Sequence, residues 1–156
     1  MLTLEIPGHE PLLLDQLVLD YNGTLAADGK LLAGVAPRLE TLGIRLAIHV
    51  VTADTFGQAA EQLAGLAVDV VVLPTGDQAA AKRKVVQDLG PGRVAAIGNG
   101  RNDHQMLADA ALGIAVIQEE GACTQALLAA DVITPTITAA LDLLLHPLRL
   151  AATLRS

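Results

Sequence analysis

At 156 residues with a single cysteine, Cys123, the chain is long enough to bury a substantial core but has no pair of thiols for an internal disulfide. A formal charge of −7 argues against a nucleic-acid partner, because that binding is carried by Lys and Arg displacing counterions. Hydrophobic residues make up 52% of the sequence, yet no apolar run reaches the roughly 18 residues of a membrane span, and the Met1-Leu2-Thr3-Leu4-Glu5 start lacks the charge and apolar core of a signal peptide. The expectation is a cytoplasmic protein of one domain, residues 1–156, with no membrane partner.

Short apolar runs alternate with stretches of helical periodicity from end to end, which predicts an α/β chain: a three-layer, doubly wound, mostly parallel sheet. A hairpin arm is expected at 2–6, a strand at 17–19, and a helix at 36–42 stopped by Gly43. A strand at 46–51, a helix at 56–66, a strand at 70–73 and a helix at 78–89 stopped by Gly90 follow. The second half adds strands at 94–97, 114–117 and 132–133, and helices at 103–110, 124–129 and 137–145, with Gly113 read as a further helix stop.

In such sheets ligands bind beyond the carboxyl ends of the strands. Four of those ends carry polar residues: Asp20, Asn22 and Thr24; Thr52 and Asp54; Asp77; and Asn99, Asn102 and Asp103. Asp20 stands at the tip of Leu17-Val18-Leu19 before a glycine turn, where a carboxylate serves as a nucleophile and Gly23 lets a phosphate approach the backbone. The same residues fit a turn capped by Asp and Asn. Thr52 offers a hydroxyl and an amide for a phosphate oxygen, or else caps the next helix, as Asp54 or Thr55 would. Lys82 shares a helical face with Val85, Val86 and Leu89, whereas Lys84 falls off it. A lysine on an apolar stripe needs an anionic partner or must snorkel to the surface. In Gly98-Asn99-Gly100-Arg101-Asn102-Asp103, Asp103 occupies the last glycine position of a dinucleotide fingerprint, so that fingerprint is absent. Asp103 and Asn99 are instead a sparse oxygen set of the kind Mg²⁺ completes with waters and phosphate oxygens, although a capped helix start explains Asn102 or Asp103 equally well. His49 reads as a core residue, His9 and His146 as surface residues, and Tyr21 as packing on the other side of its strand, while His104 follows Asp103 at a helix start.

Jointly and in this order, these segments resemble the four motifs of the haloacid-dehalogenase-like (HAD) superfamily over nearly the whole chain. Within it they look most like the phosphorylation domain of P-type ATPases and the small soluble proteins related to it. The resemblance implies catalytic roles for Asp20 as nucleophile and for Asn22, Thr52 and Lys82. It further implies phosphate contacts from Gly23, Thr24, Thr52, Ala53 and Lys82, and Mg²⁺ held by Asp20, Asn22, Asn99 and Asp103. The implied activity is Mg²⁺-dependent phosphohydrolysis through an aspartyl-phosphate, on a phosphorylated small molecule or a phosphoprotein. Two positions depart from the pattern. Most phosphatases of the superfamily have an aspartate at Asn22 that protonates the leaving group and activates water, and an aspartate at Asn99 that helps hold the metal. An amide at Asn22 does neither, which implies slow turnover or, alternatively, a phosphate-binding or regulatory module. Residues 24–52 leave room for one helix and 52–82 for one helix and one strand, so no cap domain is expected. The open site and the apolar stretch 141–150 allow a homo-oligomer, though that stretch equally closes the core.

Overall fold

The computed structural model describes residues 1–54 and 57–155. Its first half runs through β1 (Leu2–Leu4), β2 (Leu12–Leu14), β3 (Gln16–Asp20), β4 (Ala26–Ala27), β5 (Lys30–Leu31), α1 (Val35–Gly43), β6 (Ala47–Thr52), α2 (Gln58–Gln62), β7 (Asp69–Val72) and α3 (Gln78–Leu89). The second half comprises β8 (Val94–Gly98), α4 (His104–Asp109), β9 (Leu112–Val116), α5 (Thr124–Ala129), β10 (Val132–Thr134), α6 (Ile137–Leu145) and α7 (Pro147–Leu154).

Six strands form one parallel sheet in the order β10-β9-β8-β3-β6-β7. The chain winds outward from β3 through β6 to β7, then returns to β8 and winds the other way. Neighbouring β3 and β8 therefore form the point where the winding reverses, and their carboxyl ends open a crevice. Strand alternation splits the core into two layers. Leu17, Leu19, Ile48, Val50 and Ile97 face α1, α6 and α7 through Leu39, Leu42, Leu141, Leu144 and Leu150. Val18, Val51, Ala96 and Ala115 face α3, α4 and α5 through Val86, Met106, Leu107 and Ala126. Covered on both faces, the central strands read as continuous apolar runs.

The hairpin arm expected at 2–6 is present as β1, paired antiparallel with β2 so that Leu2 lies opposite Leu14. Other expectations need correction. An unforeseen hairpin, β4–β5, pairs Ala26 with Leu31. Its turn holds Asp28 at φ 50 and Gly29 at φ 76, the Asp-Gly geometry of a tight hairpin, but two residues a side are too few to show alternation. Gly113 is no helix stop: it lies inside β9, where an added Cβ would sit 2.5 Å from the Leu107 carbonyl oxygen. Its role is the close approach of α4 to the sheet. The helix expected at 103–110 begins as a tight 3₁₀ turn, Arg101–Asp103, before α4. The helix expected at 56–66 is confined to α2, and beyond it Gly65 turns left-handed at φ 86; Thr55 and Phe56 lie outside the described residues. Beyond α6, α7 starts with Pro147 in the first turn, where a proline costs no hydrogen bond. Leu141, Leu144 and Leu150 are buried, so the stretch 141–150 closes the core. Among the described residues no single helix is long and apolar enough to cross a membrane; α6 and α7 are bent by 101° at His146.

Candidate active site

Asp20 shares its strand parity with Val18, so its side chain leaves β3 toward the layer built by α3 and α4. The helical face read from Val85, Val86 and Leu89 delivers Lys82 to the same place, 1% exposed. Asp103 arrives from the turn before α4 and is fully buried. Lys82 Nζ donates to Asp20 Oδ1 at 2.5 Å and to Asp103 Oδ1 at 2.6 Å, so one ammonium bridges two carboxylates. Asp103 Oδ2 accepts from the backbone amides of Asn99 (2.9 Å) and Gly100 (2.8 Å). Gly98 makes that seating possible, since a Cβ there would stand 2.5 Å from Asp103 Cγ.

Thr24, also fully buried, places its hydroxyl 3.1 Å from Asp20 Oδ2 and 3.3 Å from Asn99 Oδ1, with one proton to donate to either. Asn99 Nδ2 donates to the Gly121 carbonyl at 3.1 Å, which turns its amide oxygen toward the cluster. Gly23 takes φ 79, and a Cβ on it would meet Asn99 Nδ2 and Glu120 Oε2 at 2.6 Å each. Thr52 is buried at the tip of β6, but its hydroxyl accepts from the Asp54 amide (3.1 Å) and serves its own loop; Ala53 beside it is exposed. Asn22 is exposed, two residues beyond Asp20.

The remaining polar residues have other occupations. Asp77 caps α3 by accepting from the Ala80 amide, Lys84 pairs with Asp88 on the surface, and Asn102 is exposed. His104 Nδ1 lies 2.6 Å from the Arg101 carbonyl, outside the cluster. His49 is bracketed by Gln16 and Asp69 between strands, and His9 and His146 are exposed. Tyr21 is buried in the α1-side layer and donates to the Gly29 carbonyl, tying the loop after Asp20 to the β4–β5 turn. Two residues went unforeseen: Glu120, over Gly23, and Gln118, whose side-chain amide donates to the Gly23 and Thr24 carbonyls. Both come from the loop after β9, and that loop carries no sequence signature of a site.

The electrostatics follow from two carboxylates and one ammonium away from water. Burial, then the charge of Asp103, outweighs Lys82 and the Thr24 hydroxyl and raises the Asp20 carboxyl to about 7. Burial works against the Lys82 ammonium, but its two carboxylate partners together hold it above its ordinary range. Buried charge clusters stabilise folds poorly and mark functional sites more often. Among the described residues no three His, Cys, Asp or Glu side chains cluster, so the oxygen donors here are Asp20, Asp103 and the Asn99 amide. That set fits a cation that keeps waters and takes substrate oxygens, and the excess negative charge favours one.

No protein-family model matches the chain. The uncharacterized protein MJ0073 of Methanocaldococcus jannaschii is 44% identical over 84 residues, spanning 51% of this chain and 90% of that one. Among solved structures, the 3-deoxy-D-manno-octulosonate 8-phosphate phosphatase of Moraxella catarrhalis, in complex with magnesium, phosphate and KDO, has a TM-score of 0.71 at 17% identity. The match covers 86% of this chain and 87% of that one. A chain from Legionella pneumophila assigned to the HAD superfamily, subfamily III A, has a TM-score of 0.72 at 19% identity, over 90% of this chain and 87% of that one. At these identities the likeness to solved structures speaks for the fold.

Proposed function

We propose that this chain, which belongs to one family with the archaeal MJ0073 and has the fold of the HAD superfamily hydrolases, is a Mg²⁺-dependent phosphohydrolase that accepts a phosphoryl group on Asp20. The observation that carries the reading is the buried Asp20–Lys82–Asp103 cluster at the crevice between β3 and β8. A fold neighbour binds magnesium and phosphate, which supports the choice of ion and ligand.

A divalent cation held by Asp20, Asp103 and Asn99 would supply positive charge against the phosphoryl oxygens. Lys82 balances further charge on those oxygens and holds Asp20 Oδ1 in place. A carboxylate oxygen of Asp20 forms a bond to phosphorus as the bond to the leaving oxygen breaks, in line, giving an aspartyl-phosphate. The leaving oxygen takes its proton from water, because Asn22 has none to give. Water then attacks the phosphorus, releasing phosphate and restoring Asp20. The missing general acid and base slow turnover by roughly 10²–10⁴. An open site suits a phosphorylated small molecule or a phosphoprotein.

Asn22 also favours a second reading: a long-lived phosphoenzyme of the P-type ATPase kind, or a regulatory module that binds phosphate with little turnover. A phosphatase screen with Mg²⁺, read beside intact-mass detection of a protein carrying one phosphoryl group, separates them. Turnover with no trapped adduct is the expected result. A stable adduct favours the phosphoenzyme, and neither signal favours the binding module. Asp20→Asn is expected to abolish both signals, and wild-type turnover in that variant removes Asp20 from the chemistry.

A further inference from the structure

We propose that Gln118 is a positioning residue for the reaction at Asp20: its side-chain amide holds the loop after the nucleophile and, through Thr24, sets the orientation of the Asp20 carboxylate. The inference rests on the reading of Asp20 as the reacting group.

Gln118 lies two residues beyond β9 with a backbone φ of 46, in the left-handed region. Among the described non-glycine residues only Asp28 shares that region, and Asp28 belongs to an Asp-Gly hairpin turn where it is at home. A glutamine has no such local compensation, so its surroundings must hold it there. They use nearly the whole amide. Nε2 donates to the Gly23 carbonyl at 3.0 Å and the Thr24 carbonyl at 2.8 Å, and Oε1 accepts at 2.7 Å from the amide of Ile137, the first residue of α6. The backbone adds two bonds: the Gln118 amide donates to the Pro135 carbonyl, and its carbonyl accepts from the Gly121 amide. Gly121 in turn accepts from Asn99 Nδ2, so one turn grips both the loop after Asp20 and the Asn99 side chain.

Pinning the Gly23 and Thr24 carbonyls fixes the two peptide planes that flank Thr24. The amides of Gly23, Thr24 and Leu25 are already bonded within the turn, to the carbonyls of Ala26 and Tyr21, so Gln118 adds the hold on the carbonyl side. Thr24 then keeps its hydroxyl 3.1 Å from Asp20 Oδ2, while Lys82 holds Oδ1. A nucleophilic carboxylate held at both oxygens presents a fixed direction of attack, and small misplacements of a reacting atom are costly. Only a side chain with glutamine's length, two donors and an acceptor meets all three partners. Glutamate keeps the shape but offers the loop no donor, and methionine offers nothing.

The test is a double-variant cycle on hydrolysis of p-nitrophenyl phosphate with Mg²⁺, below the thermal transition of every protein used. Gln118→Met and Gln118→Glu are each expected to lower kcat about 10- to 100-fold with little change in KM. Thr24→Ala is expected to lower kcat similarly. Because Gln118 acts through Thr24, adding Gln118→Met to Thr24→Ala is expected to cost no more than about threefold further. An unchanged kcat in the Gln118 variants, or effects that multiply in the double variant, overturns the inference. Should Gln118→Met not fold, Gln118→Glu carries the same cycle. Wild-type turnover in Asp20→Asn instead overturns the reading of Asp20, and the inference with it. If the wild type hydrolyses no phosphate ester, the cycle is read on orthovanadate affinity, where the same pattern is expected and additive losses overturn the inference.

Discussion

Asp20 is held where burial and Asp103 oppose its ionisation while Lys82 and Thr24 favour it, and opposition wins. The folded carboxyl titrates at about 7 against 3.8 for a free one, so between those pH values the folded chain holds a proton that the unfolded chain releases. Stability of the metal-free protein must therefore fall as pH rises through that window, by on the order of a few kcal/mol. Asp20→Asn removes the ionisation at almost the same shape. In a chelator, its melting temperature is expected to match the wild type near pH 4 and exceed it at pH 8; a lower value at pH 8 would mean that Lys82 overcompensates burial. Asn22 yields a complementary prediction. Asn22→Asp is expected to speed hydrolysis of a substrate with a poor leaving group by up to roughly 10²–10⁴, and of an aryl phosphate by less in its first step. If both rates stay unchanged while Asp20→Asn abolishes turnover, the missing acid is not what limits this protein. Asp20 was legible in the sequence because it ends an apolar run before a glycine turn, and Lys82 because the helical period aims a side chain without help from the rest of the chain. Gln118 was not, because its position depends on a left-handed turn and on carbonyls nearly a hundred residues away.

Elements were legible where a period had room to show itself. α3 spans the predicted 78–89 and stops at Gly90 as expected, and α6 spans the predicted residues. The β4–β5 hairpin offers two residues a side, and a lone glycine reads the same whether it stops a helix or lets one approach. Gly113 and Gly92 show the difference. A Cβ at Gly113 would meet the Leu107 carbonyl oxygen at 2.5 Å, a backbone atom that moves only if α4 moves. Nothing lies within 4 Å of the Cβ position at Gly92. Gly113→Ala is expected to cost about 1–3 kcal/mol in denaturant unfolding and Gly92→Ala no more than about 0.5 kcal/mol. Because Gly→Ala by itself lowers the entropy of the unfolded chain and favours folding, equal effects at the two positions would show that the contact with Leu107 does not govern Gly113.

Across the whole molecule, the parallel order brings the site together from segments far apart in the chain, and one ion pair closes the opposite layer. Arg38 on α1 meets Asp142 on α6 through two bonds, Nε to Oδ1 at 2.7 Å and a second guanidinium nitrogen to Oδ2 at 3.0 Å. Planar, two-point pairing of this kind is the stronger geometry for a surface pair. Both side chains remain about a third exposed, at 30% and 34%, so solvent screens the gain to about 0–1 kcal/mol. The hydrogen bond from Arg38, aided by its charge, holds the Asp142 carboxyl below its ordinary value. The sign is opposite to that of Asp20. A depressed carboxyl contributes stability above its unfolded pKa, and that stability is lost as pH falls through the folded value. The two carboxylates thus pull the stability profile in different directions, Asp20 destabilising on the neutral side and Asp142 on the acid side. Asp142→Asn is accordingly expected to lower unfolding free energy by up to about 1 kcal/mol at pH 7 in low salt, less at 1 M salt, and not at all once the pH lies below the folded value. A loss that persists undiminished in acid and in high salt would assign the effect to packing between α1 and α6, and not to the charges.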